Sequence, residues 1–149
     1  MPSLLAISES LAILASGLFA GAALYITFVE HPARMQCSTT VALTQFAPSY
    51  KRATIMQASL AVLGTLVAIA AWLQGAPAPW LIAGLLLGAV IPFTLIVILP
   101  TNKRLLDPSL DKDSEQAQQL LWRWGRLHTV RSALSLVSFL TLLFAALKR

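Results

Sequence analysis

Apolar and polar positions fall along this chain in long blocks, not at the short period of a soluble amphipathic helix or half-buried strand. Four blocks are almost wholly apolar. Residues 4–29 are interrupted only by Ser8, Glu9 and Ser10 near the start, and by small residues after that. Residues 53–73 are entered through Lys51-Arg52 and left at Gln74-Gly75. Residues 80–99 are stopped by Pro100, and residues 129–147 are closed by Lys148-Arg149. Each is close to the roughly 20 residues that a helix needs to cross a hydrocarbon core of about 30 Å. Backbone groups in hydrocarbon must find partners within the segment, and alternating barrel-type strands are absent from the sequence, so all four blocks are expected to be helices. The expected fold is all-α: a four-helix transmembrane bundle over residues 1–149 as a single membrane domain.

The breaks between blocks refine that picture. Gly75-Ala76-Pro77-Ala78-Pro79 is too short and proline-rich to do more than reverse the chain, which makes the second and third helices an antiparallel hairpin. Pro32 disfavours the helical conformation at His31, so the first helix should end or bend there, and Pro92 should kink the third. After Pro100 the chain turns polar through Asp107-Pro108 and the charged stretch 111–115. Residues 116–127 then have helical composition, with Ser114 or Asp113 as N-cap and only Gly125 as a breaker. One long helix from about 114 to 147 follows, its first turns extending beyond the membrane. Gly17/Gly21 and Gly84/Gly88 are i, i+4 pairs that suit close helix approach, within the chain or against a second copy of it.

Composition agrees with a membrane location. Hydrophobic residues make up 57% and charged ones 11%, where a soluble domain carries about a quarter charged. The net charge of +5 would suggest nucleic acid in a soluble protein, but here Lys and Arg lie between the apolar blocks and act as topology signals. No nucleic-acid partner is expected. Arg34, Lys51 and Arg52 follow the first helix; Lys103, Arg104, Lys112, Arg123, Arg126 and Arg131 follow the third; only Lys148 and Arg149 lie at the other face. The positive-inside rule therefore puts both long connections in the cytoplasm and both termini on the outer side of the membrane, which in a bacterium is the inner or plasma membrane. No basic residue precedes the first block, so a secretory leader is not expected. The one cysteine, Cys37, excludes an internal disulfide and a CxxC motif.

Polar groups at membrane depth are expensive and are functional candidates for that reason. One cluster is Tyr25, Glu30, His31, Pro32 and Arg34. A second is the stripe Trp124, His128, Arg131, Ser135 and Ser138, whose spacings put it on one helical face, expected to point into the bundle. Asn102 is a third contributor. Bland readings exist for several of these: Tyr25, Trp122 and Trp124 as interfacial aromatics, Arg34 as a topology determinant, Glu30 with Arg34 as a local i, i+4 ion pair. His31, His128, Asn102 and Arg131 are different, since they converge from three segments on one end of the bundle. Two histidines and a carboxylate suit a metal, and a histidine pair suits haem, but no HxxxH or HExxH spacing supports either. A site without a cofactor needs less: an imidazole or carboxylate as base for a carbon acid, Asn and Arg donors for the oxyanion, and apolar walls for a flat lipophilic molecule or membrane lipid arriving from the bilayer. A non-enzymatic module that binds a lipid, haem, metal or partner helix through the same cluster is the alternative.

The run Gly21-x-x-x-Tyr25, Glu30-His31-Pro32-Ala33-Arg34, Pro100-Thr101-Asn102-Lys103 and Trp124-x-x-Leu127-His128-x-x-Arg131 resembles the anthrone oxygenase-like small membrane proteins over nearly the whole chain. That resemblance implies a monooxygenase without flavin or haem, which converts an anthrone to an anthraquinone by deprotonation and reaction with dioxygen. It implies His31, aided by Glu30, or else His128 as base, and Asn102 and Arg131 at the oxyanion. Tyr25 and Trp124 would stack on the rings, with Arg34 and Ser135 at the substrate.

The predicted orientation has a direct check. A membrane-impermeant maleimide should label Cys37 only after the membrane is opened, and ready labelling in intact cells would reverse the topology.

Overall fold

The computed structural model describes residues 3–148. Four helices account for nearly all of them: α1 Leu4–Met35, α2 Thr39–Leu73, α3 Ala78–Leu105 and α4 Glu115–Leu147. All four are long and apolar enough to cross a membrane. They form a ring in chain order, with α1 packed on α2, α2 on α3, α3 on α4 and α4 back on α1. This is the up-down-up-down bundle that short connections favour.

The α2–α3 turn is a Schellman cap. Gly75 takes φ 102°, its amide donates to the Trp72 carbonyl, and the Ala76 amide donates to the Ala71 carbonyl. Beyond it the core is built from small side chains, among them Ala12, Ala68, Ala71 and Ala83, closed around the fully buried Trp80. Lipid tails are as apolar as leucine, so close backbone approach and dispersion contacts, not water exclusion, hold such helices together. Gly84 and Gly88 serve that approach: a Cβ at Gly84 would meet the Ala68 Cβ at 3.1 Å, and one at Gly88 would meet the Thr65 Cγ2 at 3.1 Å. Gly17 lies against the Phe139 ring, whereas Gly21 faces open space. At the opposite end larger groups take over, with Leu43, Phe46, Ile98, Leu120, Leu121 and Trp124 in one cluster.

Two helices run further than the prolines led one to expect. α1 does not end at His31 and α3 does not stop at Pro100. Each passes its proline through a widened π turn, Ile26–Glu30 in α1 and Thr94–Ile98 in α3. The His31 amide bonds to the Ile26 carbonyl and the Leu99 amide to the Thr94 carbonyl, both five residues back. A proline ring collides with the carbonyl four residues before it and donates nothing. The extra residue in the turn relieves that collision and lets the helix resume. Pro92 and Pro48 are also held inside helices.

α2 begins well before the expected residue 53. Ser38 caps it by accepting from the Val41 amide at 3.4 Å, and Ala42, Leu43 and Phe46 are buried while Lys51 and Arg52 face outward. Thr40 Oγ1 donates to Asp113 Oδ1 at 2.6 Å, fastening this overhang to the connection before α4. α4 is unbroken at Gly125, as expected, and starts from the Ser114 cap, whose Oγ accepts from the Ala117 amide at 3.2 Å. Its 33 residues span about 50 Å at about 1.5 Å per residue, well beyond a hydrocarbon core of about 30 Å.

The packing predicts contrasting costs for two glycines. Gly84→Leu should lower stability by about 1–3 kcal/mol by overpacking the α2–α3 seam, while Gly21→Leu should leave it unchanged. Thermal unfolding in detergent measures both, and equal melting temperatures would contradict the seam.

Candidate functional site

The π turn in α1 sets the register of the site. Downstream of it His31 and Arg34 are buried, and within it Thr27 and Glu30 are half-buried. From α4 the stripe points inward as its spacing required: Trp124, His128, Ser135 and Ser138 are buried and Arg131 is half-buried, and Ser132, which the stripe did not include, is buried beside them. α3 contributes Asn102, 1% exposed, and α2 contributes Gln57, also 1% exposed.

Trp124 is in ring contact with both histidines. Its ring centroid is 5.1 Å from that of His31 and 4.8 Å from that of His128, with which it stacks at 26°. Among the described residues no three His, Cys, Asp or Glu side chains gather as a metal set would need.

His31 is seated by a missing side chain. A Cβ on Gly125 would overlap the His31 Nε2 and lie 2.6 Å from its Cδ2. The bare backbone of α4 thus accepts the imidazole edge, next to the Leu121 carbonyl. On the other edge, His31 Nδ1 is 3.5 Å from Arg34 Nη1. Guanidinium can only donate, so Nδ1 is the acceptor and Nε2 carries the proton.

Arg34 is neutralised locally. Its Nη2 donates to Glu30 Oε1 at 2.6 Å, and the same oxygen accepts from Gln45 Nε2 at 3.0 Å and Ser49 Oγ at 2.5 Å. The guanidinium carbon lies 5.4 Å from the Phe46 ring centroid and 5.7 Å from that of Trp124.

His128 Nδ1 faces two hydroxyls, Thr27 Oγ1 at 3.1 Å and Ser132 Oγ at 3.3 Å, which lie 2.8 Å from each other. Ser132 Oγ also lies 3.1 Å from the Ala23 carbonyl and 3.0 Å from the His128 carbonyl, to either of which it can donate. This circuit engages Nδ1 and leaves Nε2 outside it.

Arg131 has a different environment. Its Nη2 donates to Gln57 Oε1 and its guanidinium carbon lies 5.1 Å from the Phe19 ring, but among the described residues no carboxylate pairs with it. Beside it, Gln57 Nε2, Arg131 Nε, Trp124 Nε1 and Asn102 Oδ1 are buried with no hydrogen-bond partner. These atoms belong to the walls of a narrow polar cavity of about 20 Å³, which Glu30, Arg34 and His128 also line. That volume suits one or two atoms of water size. On the other side of Trp124 and His128 lies a groove of about 430 Å³ between α1 and α4, with Thr27, His31, Met35 and Trp122 along it. Its size falls in the range of small-molecule sites, about 300–1,000 Å³. Only Trp124 and His128 line both spaces.

The sequence-derived candidates thus divide. Asn102, His128, Arg131, Glu30 and Arg34 meet at the cavity, and His31 faces the groove. Tyr25 does neither: it is 58% exposed and borders shallow grooves on the α2 side of α1. Ser135 is buried deeper along α4, where its hydroxyl donates to the Ser132 carbonyl. Gln57 and Gly125 are site residues that no sequence motif pointed to. A single glutamine inside an otherwise apolar block was the available signal for the first.

Gly125 yields a coupled prediction. Gly→Ala in an open helix gains about 1 kcal/mol; here Gly125→Ala should lose stability and displace the His31 ring. Adding His31→Ala should restore it, with a double-mutant coupling of about 1 kcal/mol or more in thermal unfolding. Additive effects would mean that the imidazole does not rest on that backbone.

No curated protein and no solved structure matches the chain. A family model does, the one described as anthrone oxygenase, over residues 46–141. The matched stretch takes in most of α2, all of α3 and most of α4, and so supplies Gln57, Asn102, Trp124, His128 and Arg131. Covering well over half of the chain, that match makes this four-helix protein a member of the anthrone oxygenase family.

Proposed function

We propose that the protein oxidises a lipophilic anthrone-like aromatic to the quinone with dioxygen, His128 Nε2 serving as the base and no cofactor taking part. The observation that carries this reading is the place of His128, its Nδ1 engaged by Thr27 and Ser132, at a wall shared by a groove of substrate size and a cationic cavity too small for a ring system. A flat substrate enters the groove from the bilayer and lies along Trp124 and His31. His128 Nε2 takes a proton from its methylene carbon, while the Thr27–Ser132 circuit holds the imidazole by its Nδ1. The ring anion passes one electron to dioxygen. Radical recombination forms the C–O bond and His128 returns its proton to the peroxide. Loss of the second methylene proton with O–O cleavage leaves the carbonyl and one water. Atoms balance as substrate CH₂ plus O₂ to C=O plus H₂O.

Negative charge forms first on the ring and then on oxygen. The unpaired cation of Arg131 and the open donor Nε2 of Gln57 are fixed before that charge appears, which is the arrangement that lowers a barrier most effectively. Asn102 presents Oδ1, an acceptor for the proton of a hydroperoxide or of water. Glu30 neutralises Arg34 and thereby holds it over Trp124.

The base step can be read without oxygen. Under argon in deuterated buffer, the protein should catalyse exchange of the anthrone methylene hydrogens, and His128→Ala should slow it about a hundredfold or more. In air, one dioxygen should be consumed per quinone formed. His128→Ala with Arg131→Gln should cost less than the sum of the two single effects, since both act on one transition state. Retention of anthrones with neither exchange nor oxygen uptake would leave a binding module in place of an enzyme.

A further inference from the structure

A second opening reaches the cavity from the face away from the substrate groove. It is a fissure of about 120 Å³ walled by Phe19, Ala58, Ala61, Val90, Ile91 and Leu95, on α1, α2 and α3. Ala58 and Leu95 are exposed, so the outer end meets the space that lipid occupies around the bundle. The inner end is formed by the buried Gln57 and the half-buried Arg131, and both, with the exposed Thr54, also line the polar cavity. The fissure is under a third of the groove's volume. It is apolar along its walls and ends on the unpartnered Nε2 of a glutamine that is 1% exposed.

We infer that this fissure is the route by which dioxygen enters from the bilayer, separate from the path of the aromatic substrate; the assignment rests on the oxygenation proposed above. Dioxygen is small and apolar, and it partitions into hydrocarbon in preference to water. An apolar passage that opens among acyl chains draws on the richer supply. The passage is too narrow for a tricyclic ring system, so the two reactants do not compete for one entrance. At the inner end the chemistry changes from apolar to cationic. Neutral dioxygen passes the walls unhindered, and after it accepts an electron from the ring anion the product is held by Arg131 and Gln57 Nε2, whose charge and donors match superoxide but not dioxygen. His128 and Trp124 are the only side chains common to cavity and groove, so the reduced oxygen and the substrate radical meet at the His128 edge.

Two measurements test the route. Xenon, an apolar probe of similar size, should appear in the fissure of pressurised crystals, as it does in dry apolar cavities. Ala58→Trp, at an exposed position outside the reacting groups, should raise the KM for dioxygen several-fold. It should leave the KM for the anthrone, the kcat at saturating oxygen and the anaerobic exchange unchanged. An empty fissure, or a KM for dioxygen equal to that of the parent protein, overturns the route even where exchange and turnover are intact. A xenon-filled fissure in a protein that neither exchanges nor oxidises any anthrone overturns the oxygenase reading first and the dioxygen assignment with it.

Discussion

Prolines set the constraint on which this structure depends. A chain in hydrocarbon has no water to satisfy a freed carbonyl, so a helix that meets a proline at membrane depth must either stop or rearrange its own hydrogen bonds. At Pro32 and Pro100 the chain rearranges. The π turns at Ile26–Glu30 and Thr94–Ile98 carry the helices past the rings, to Met35 and to Leu105. Without that continuation His31 and Arg34 would lie on an irregular connection, as would Asn102. Rigid helix continues through these positions, so polar side chains from α1 and α3 are presented to α4 at a fixed height.

Electrostatics then separates two arginines of similar depth. Arg34 is matched by Glu30, and the pair is closed by Gln45 and Ser49, so it adds little charge to its surroundings. Arg131 is matched only by an amide oxygen and an aromatic face. Leaving a cation without a counter-charge in a protein interior is costly, and a bundle selected for stability alone would neutralise it as it does Arg34. A site that must hold negative charge only during a reaction requires the opposite arrangement, since a resident carboxylate would cancel the field before the substrate ionised. The proposed chemistry gives this imbalance a purpose that packing does not.

What the sequence made legible follows from where its signals were unopposed. The four apolar blocks could be read because hydropathy alone decides them in a bilayer. The hairpin at Gly75 rests on a helix cap, and the overhanging α4 on a helical composition that nothing interrupts. Residues 39–52 looked like a loop because their outward face is polar and Pro48 interrupts them, yet Ala42, Leu43 and Phe46 bury an apolar face at helical spacing. Pro100 was read as an end, and Pro32 as an end or a bend, because a proline is a stop signal unless the turn can widen, which no local pattern announces. Tyr25 and Ser135 show the limit of clustering by sequence proximity. Tyr25 faces the surface of α1 while Arg34 faces its interior. Ser135 has the right face but the wrong height.

Gly125 shows why part of the site could not be read along the chain at all. In a helical run an isolated glycine is a defect, and its usual meaning is a flexible point or a helix end. Here its value is the atom it lacks, and the partner that uses the space lies on α1, three helices earlier in the chain. His31 against bare α4 backbone fixes one face of Trp124, and Trp124 in turn fixes the plane of His128 by stacking. The Thr27–Ser132 circuit fixes the other end of the same ring. An imidazole held both by a face and by an edge has little freedom left to rotate, so its Nε2 keeps one direction at the junction of groove and cavity. Preorganisation of that kind needs contacts from separate chain segments, and it is therefore a property of the bundle and not of any motif within it.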